Sequence, residues 1–412
     1  MSSHIRRRSP RKVRLTIAGG ALLAVAATAG IVTIASADEP ADASSNGPVR
    51  PLSARAHLGA DHAVFVQGNE LAGNTIHAFK RGDDGQLSAA GTFATGGKGG
   101  DQVDAPTDSL ASQSSLVYDN RSKRLIAVNA GSATVTSFRV EGQKLTDRQT
   151  VGSGGDFPSS IAVSDNLAYV MNAGGKGSVQ GFRITGKGLV PLSGSYRSLG
   201  LHNKKVPLFS SSPGQVAFTP DGHALVVTTK SANTVEVFPM RHDGRPAARA
   251  VITPSAGGVP FAITFDRSGR MLVAEAERST VTTYQVRRDG VLRVVQNPLP
   301  NGQETLCWLE RAGDFFFGGN TGNSTVTGYR TDRHGKLALS NRVGVATPPS
   351  ARSQGVIDLA VTKDEKFLYV QNATSGTVDG FRIGRNGSLS KVTTLTGLPP
   401  FAGSGMEGIT AV

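Results

Sequence analysis

One pattern recurs along this chain, and it constrains the fold more than any other feature. An apolar segment is followed by a polar turn, a second apolar segment, a Gly/Asn/Ser-rich turn and a third segment that ends on an aromatic. The clearest copy runs Gln215-Val216-Ala217-Phe218, then Ala224-Leu225-Val226-Val227, then Thr234-Val235-Glu236-Val237-Phe238, and leads into the turn Asp243-Gly244. The third-segment aromatics are Phe79, Phe138, Phe182, Phe238, Tyr284, Tyr329 and Phe381, spaced 44 to 59 residues apart. Within each copy apolar residues alternate over four to six positions and no helical period persists, so the segments read as strands. A base period of about 45 residues is that of a four-stranded propeller blade. The longer spacings place insertions near residues 94–113, 197–214 and 344–356.

The chain ends predict how such a ring closes. The last residues, Glu407-Gly408-Ile409-Thr410-Ala411-Val412, repeat the first strand of other copies, such as Ser160-Ile161-Ala162-Val163. The first copy lacks that strand and starts on the second, Ala63-Val64-Phe65-Val66. The expectation is an all-β, seven-bladed propeller of four-stranded antiparallel blades over residues 57–412, with the C-terminal strand completing the first blade. Closure of this kind removes open sheet edges.

Residues 1–37 are of a different kind. Arg6, Arg7, Arg8, Arg11, Lys12 and Arg14 precede an apolar run from Leu15 to Ile34, which ends Ala35-Ser36-Ala37. That order is an export signal with an A-x-A-type cleavage site, so the mature chain is expected to begin at Asp38. The arginines leave the twin-arginine and general routes both open. An uncleaved anchor is the alternative, and the only membrane attachment the sequence offers. Residues 38–56, rich in Pro, Ser and Ala, read as a flexible linker. Loss of the six signal-segment cations takes the formal charge from +13 to about +7. This is a mildly basic surface, and no Lys/Arg cluster is interleaved with aromatics, so no nucleic-acid partner is expected.

The repeats resemble those of the seven-bladed lactonase propellers, the family of 6-phosphogluconolactonase and the fungal-type carboxymuconate-lactonising enzymes. The shared motifs are Tyr169-Val170-Met171-Asn172 and Tyr369-Val370-Gln371-Asn372, the segments Gly181-Phe182-Arg183-Ile184 and Gly380-Phe381-Arg382-Ile383, and the turns Asp84-Gly85-Gln86-Leu87 and Asp289-Gly290-Val291-Leu292. The resemblance spans residues 60–412. It implies an active site in the central cleft, with an Arg-His pair on one inner strand, a Glu at the end of that blade's second strand, a His from the preceding blade and an Arg from a later one. Here those positions fall on Phe261 and Ala262, on Ala276, near Gly214-Gln215, and near Ile357-Asp358. None of the four groups is retained in place; a one-residue slip restores only Glu275.

The residues that start the inner strands are expected at the channel mouth: Gln113, Ser115, Ser159, Ser160, Gln215, Phe261, Glu304, Asp358, Met406 and Glu407. Of these, Gln113, Gln215, Phe261, Glu304 and Asp358 are the candidate ligand-binding set. Glu70 and Glu407 are the candidate catalytic pair, since two adjacent carboxyls would force one to keep its proton. Phe261 and Trp308 suit a partly apolar ligand. Asp101, Asp104 and Asp108 could form an oxygen-ligand Ca²⁺ site, but their spacing matches no EF-hand, and we read them as a solvated acidic loop. Gly96-Gly97-Lys98-Gly99-Gly100 reads as a flexible insertion. The scattered histidines and the lack of a Gly-x-Ser-x-Gly elbow exclude the usual transition-metal and serine-hydrolase patterns, and neither metal nor cofactor is expected. Cys307, the only cysteine, reads as a buried thiol. The leading expectation is a monomeric, exported binding propeller that takes a small molecule or cell-wall component at the channel mouth. The alternative is a lactonase or cycloisomerase with a rearranged acid set.

Overall fold

Alternation of apolar and polar residues folds each repeat into a meander. In Thr234–Pro239 the side chains of Val235 and Val237 are fully buried against neighbouring strands. The computed structural model describes residues 62–348, 350–402 and 404–412; the expected export signal and linker lie outside these. The described strands form seven antiparallel sheets of four strands, the outer strand of blades 3 and 6 being broken into two pieces. The inner strands of blades 1 to 7 are Ile409–Ala411, Leu116–Asp119, Pro158–Ser164, Pro213–Phe218, Pro260–Phe265, Leu306–Ala312 and Val356–Val361. Each lies beside the next around the ring, including the last against the first. The three insertions fall between blades 1 and 2, 3 and 4, and 6 and 7, as expected.

Blade 1 is closed by the C-terminus. Ile409–Ala411 pairs antiparallel with Val64–Val66, and the pairing is extended at both ends, where Glu407 N–H donates to the Gln67 carbonyl (2.9 Å) and Val412 N–H to that of Ala63 (2.8 Å).

The motifs shared with lactonase propellers now have a physical reading. Tyr169 of blade 3 donates its hydroxyl to the carbonyl of Gly244 (2.8 Å), in the Asp-Gly turn of blade 4. Tyr369 of blade 7 donates likewise to Gly85 (2.7 Å), in the turn of blade 1. Tyrosine and turn are thus the two halves of a clasp between consecutive blades. At the closing junction Gly85 has φ +89°, and a Cβ there would lie 2.3 Å from the ring of Phe367, so only glycine fits. Arg81 and Arg382 stack on that ring, 5.3 and 4.7 Å from its centroid.

A second device recurs at the end of the second strands. Asn129 donates to Thr134 and Thr136, Asn320 to Thr325 and Thr327, and Asn372 to Thr377 and Asp379. These side chains tie the second strand to the third at the turn between them.

Candidate functional site

Glu275 occupies this tying position in blade 5. Its carboxylate is fully buried and accepts from Ser255 Oγ (2.8 Å), Gly257 N–H (2.8 Å), Thr280 Oγ1 (2.8 Å) and Thr282 Oγ1 (2.6 Å). It has the spacing to its two threonines seen at Asn129 and Asn320, and all four partners belong to its own blade or the segment leading into it. The residue that a one-residue slip would restore as the family's Glu is therefore a strand tie. Glu275→Ala should destabilise the fold by about 3 kcal/mol in urea titration, since it leaves buried donors unmade, whereas Glu275→Gln should lose far less.

At the end of the channel where the inner strands begin, the first two insertions pack together over the opening. Val103 N–H donates to the Pro207 carbonyl and Phe209 N–H to that of Val103, both at 3.0 Å, and Ser212 Oγ donates to Gln102 Oε1 (3.1 Å). The glycine run is not loose. The Asn69 side chain bonds both the N–H and the carbonyl of Gly100, and a Cβ on Gly99 would lie 2.0 Å from the Asn69 carbonyl oxygen. Contrary to expectation, the acidic loop is not solvated throughout: Asp104 is exposed, but Asp108 is buried. No group of three or more potential metal ligands occurs among the described residues.

Asp108 is the carboxyl neighbour of Glu407. Asp108 also accepts from the N–H groups of Leu110 (3.1 Å) and Ala111 (2.8 Å), and Glu407 from those of Ser109 (2.8 Å) and Leu110 (3.2 Å). Burial raises both carboxyls, and the proximity of Asp108 raises Glu407 further. The structure does not join Glu407 to Glu70. Glu70 is half-buried within blade 1 and accepts from Thr75 N–H (3.0 Å) and Oγ1 (2.7 Å). Burial raises Glu70, but hydrogen bonds from His77 and Thr75 outweigh it and leave the carboxyl below its usual value.

Lys230 was not anticipated. It is buried beneath the packed insertions, donates to the Ala111 carbonyl (3.1 Å), and lies 4.9 and 5.1 Å from the ring centroids of Phe209 and Phe261. Burial lowers its pKa to about 8 against the pull of Asp108. Its position was the signal: the residue after the second strand is Ala130, Ala173, Ala276, Thr321 or Ala373 in five other blades. Phe261 packs on Trp308 (centroids 5.1 Å apart) in the core, not on an open mouth. Cys307 is buried as expected, and burial pushes its thiol up to about 12.

Gln113, Ser115, Ser160, Gln215 and Asp358 stitch the inner strands together. Gln215 Oε1 accepts from Ile263 N–H of the next blade, and Asp358 from Ile409 N–H (3.3 Å). Gln113 reaches from blade 2 to blade 6, where it accepts from Leu309 N–H (3.1 Å) and donates to Glu310 Oε1 (2.8 Å). Ser160 Oγ accepts from Val216 N–H (3.1 Å), and Ser115 Oγ from Gly408 N–H (2.9 Å). Glu304 is exposed in the segment before the inner strand of blade 6. Glu310, a second unanticipated residue, pairs in register where other inner strands have Val117, Ala162, Ala217, Thr264 and Ala360. Burial raises its carboxyl to about 7. Asp358 is raised well above the usual range by burial and by the neighbouring Glu310 charge. The two acids line a cleft of about 180 Å³ between the inner strands of blades 1, 2, 6 and 7, with Ser114, Tyr118 and Thr410 on its walls.

Fold and site together define a seven-bladed β-propeller whose channel is covered at one end and rich in buried carboxyls. The chain resembles the lactonase propellers: the family model "Lactonase, 7-bladed beta-propeller" matches residues 198–310. No curated protein matches the chain by sequence. Among solved structures, a protein from Lactobacillus plantarum superposes with TM-score 0.65 at 17% identity, covering 84% of this chain and 98% of that one. A candidate 6-phosphogluconolactonase from Bacteroides uniformis gives 0.63 at 16% identity, covering 82% and 97%. The periplasmic gluconolactonase of Pseudomonas aeruginosa gives 0.61 at 18%, covering 81% and 96%. At these identities the likeness is one of fold.

Proposed function

We propose that this chain is an exported, monomeric, lactonase-like propeller that binds a small molecule or cell-wall component through its central channel and does not open phosphosugar lactones. The charge distribution in the channel carries this reading. Asp108, Glu310, Asp358 and Glu407 cluster there, and the buried cation beside them, Lys230, is already engaged by a carbonyl and two rings. A phosphosugar needs a free basic anchor, and lactone opening needs a donor for the developing oxyanion. The open cleft instead offers Glu310 and Asp358, whose carboxyls burial raises, which suits a ligand rich in hydroxyl or amine groups.

The pKa of Glu310, near 7 in an open cleft, favours a second reading: a lactonase or cycloisomerase in which Glu310 moves the proton and Asp358 assists. The likeness to a gluconolactonase that is periplasmic agrees with export and with lactone chemistry. A pH-stat assay with fresh 6-phosphogluconolactone and glucono-1,5-lactone separates the two. We expect hydrolysis at the buffer rate for both. Turnover of either lactone at least ~10²-fold above that rate, removed by Glu310→Gln, would establish the enzyme.

A further inference from the structure

We infer that the turn face of blades 5 to 7, at the end of the channel away from the insertions, is a docking surface for a phosphate-rich linear polymer. Strand direction defines this face. Each inner strand begins at the covered end of the channel, so the turns that join first to second and third to fourth strands all lie at the other end. In blades 5 to 7 these turns tile into one surface. The hairpin turn of blade 6 rests on blade 5, where Arg270 Nη1 donates to the His334 carbonyl (2.9 Å). That of blade 7 rests on blade 6, where a Cβ on Gly387 would lie 2.4 Å from the Phe315 ring. Arg267 of blade 5 pairs with Asp314 of blade 6 (3.2 Å) and with Glu365 of blade 7 (3.5 Å).

Charge on this surface is unbalanced, because every acid in these turns is already engaged. Asp266 pairs with Arg270, Asp289 with Arg287, Asp314 and Glu365 with Arg267, and Asp364 with Lys366. Asp332 accepts from the N–H groups of His334 and Lys336, both at 2.9 Å. Six cations are left over. Arg288, Arg330, Arg333, Lys336, Lys363 and Arg385 are exposed, and none pairs with a carboxylate among the described residues. They are spread over three blades, which suits an extended ligand with repeated anions. Four are arginines, whose planar fork matches phosphate oxygens. A membrane is a poorer fit, because Val291 is the only large apolar side chain exposed in these turns. A nucleic acid is a poorer fit too, because no Phe, Tyr or Trp is exposed there for bases to stack on.

Long-chain inorganic polyphosphate is the probe, titrated into the full chain and, alongside, into the chain that begins at Asp38. Saturable binding is expected at about 50 mM NaCl and should weaken on the order of 10²-fold at about 200 mM, since each neutralised phosphate releases a counterion. Replacing Arg288, Arg333, Lys336 and Arg385 together by serine should weaken binding at least about tenfold. Replacing Lys98, Lys176, Lys204 and Lys205, exposed at the covered end, removes the same charge and should weaken it less than about threefold. Should the first variant lose the wild-type circular dichroism spectrum, Arg288→Ser with Arg385→Ser decides, with a loss of at least about threefold expected. Absence of saturable binding, equal loss in the two fourfold variants, or indifference to salt would overturn the surface. So would binding to phosphatidylglycerol vesicles but not to polyphosphate, or tighter binding of single-stranded DNA than of polyphosphate.

Discussion

Removing residues 406–412 is expected to yield protein that aggregates, or that melts far below the full chain. The deletion takes away the inner strand of blade 1 and exposes Val64 and Val66, both fully buried, along an unpaired edge. It also removes Glu407, whose carboxyl receives two N–H groups of the first insertion, and the Glu407 carbonyl that Gln371 of blade 7 bonds. Blades 7, 1 and 2 thus lose a shared element at once. Scanning calorimetry and size-exclusion chromatography report the outcome; a truncated chain that melts with the full one would contradict closure by this strand.

The second large effect is on pH. Glu310 and Glu236 are each raised from 4.5 to about 7 by burial, and Asp108, Asp358 and Glu407 are also raised. A raised folded-state pKa means that the native chain holds protons the unfolded chain releases. Its stability contribution is complete below about pH 4.5 and is lost as pH climbs through 7. Lys230, lowered to about 8, acts in the opposite sense only at higher pH. Between pH 5 and 7.5 the acids therefore dominate. Stability should fall across that window by on the order of 2 kcal/mol for each of Glu236 and Glu310. Glu236→Gln and Glu310→Gln should each flatten the slope of melting temperature against pH. A stability that rises with pH over this window would refute the buried-acid reading.

The sequence disclosed the ring and its closure because both are written as local repeats. A strand pattern recurs, and a fragment missing from the first copy reappears at the end. What it hid is non-local. Asp108 and Glu407 meet through a chain that leaves the repeat pattern in the first insertion, so no spacing rule joins them. Glu275 resembled a displaced catalytic acid only while read alone; aligned with Asn129 and Asn320, and with threonines at matching offsets, it is a strand tie. Gln215 and Asp358 were placed correctly on the inner strands, but alternation says which way a side chain points and not which backbone N–H it meets. Lys230 and Glu310 were visible as charges at positions where sister repeats carry small or apolar residues, a signal that emerges only when the blades are set in register.

The shared first blade also carries a consequence for how the chain acquires its structure. Ser109 and Glu407, bonded across the closing junction, are 298 residues apart in sequence. Equilibrium tolerates such a span, because each doubling of a loop adds only about 0.6 kcal/mol of closure entropy. Kinetics are less forgiving, since pairings this remote form late. Until the last strand docks, blade 1 is a three-stranded sheet with a bare apolar border, and the growing polymer passes through a stage that is sticky by design. The period before Ile409–Ala411 arrives is therefore the interval in which a chaperone has most to protect.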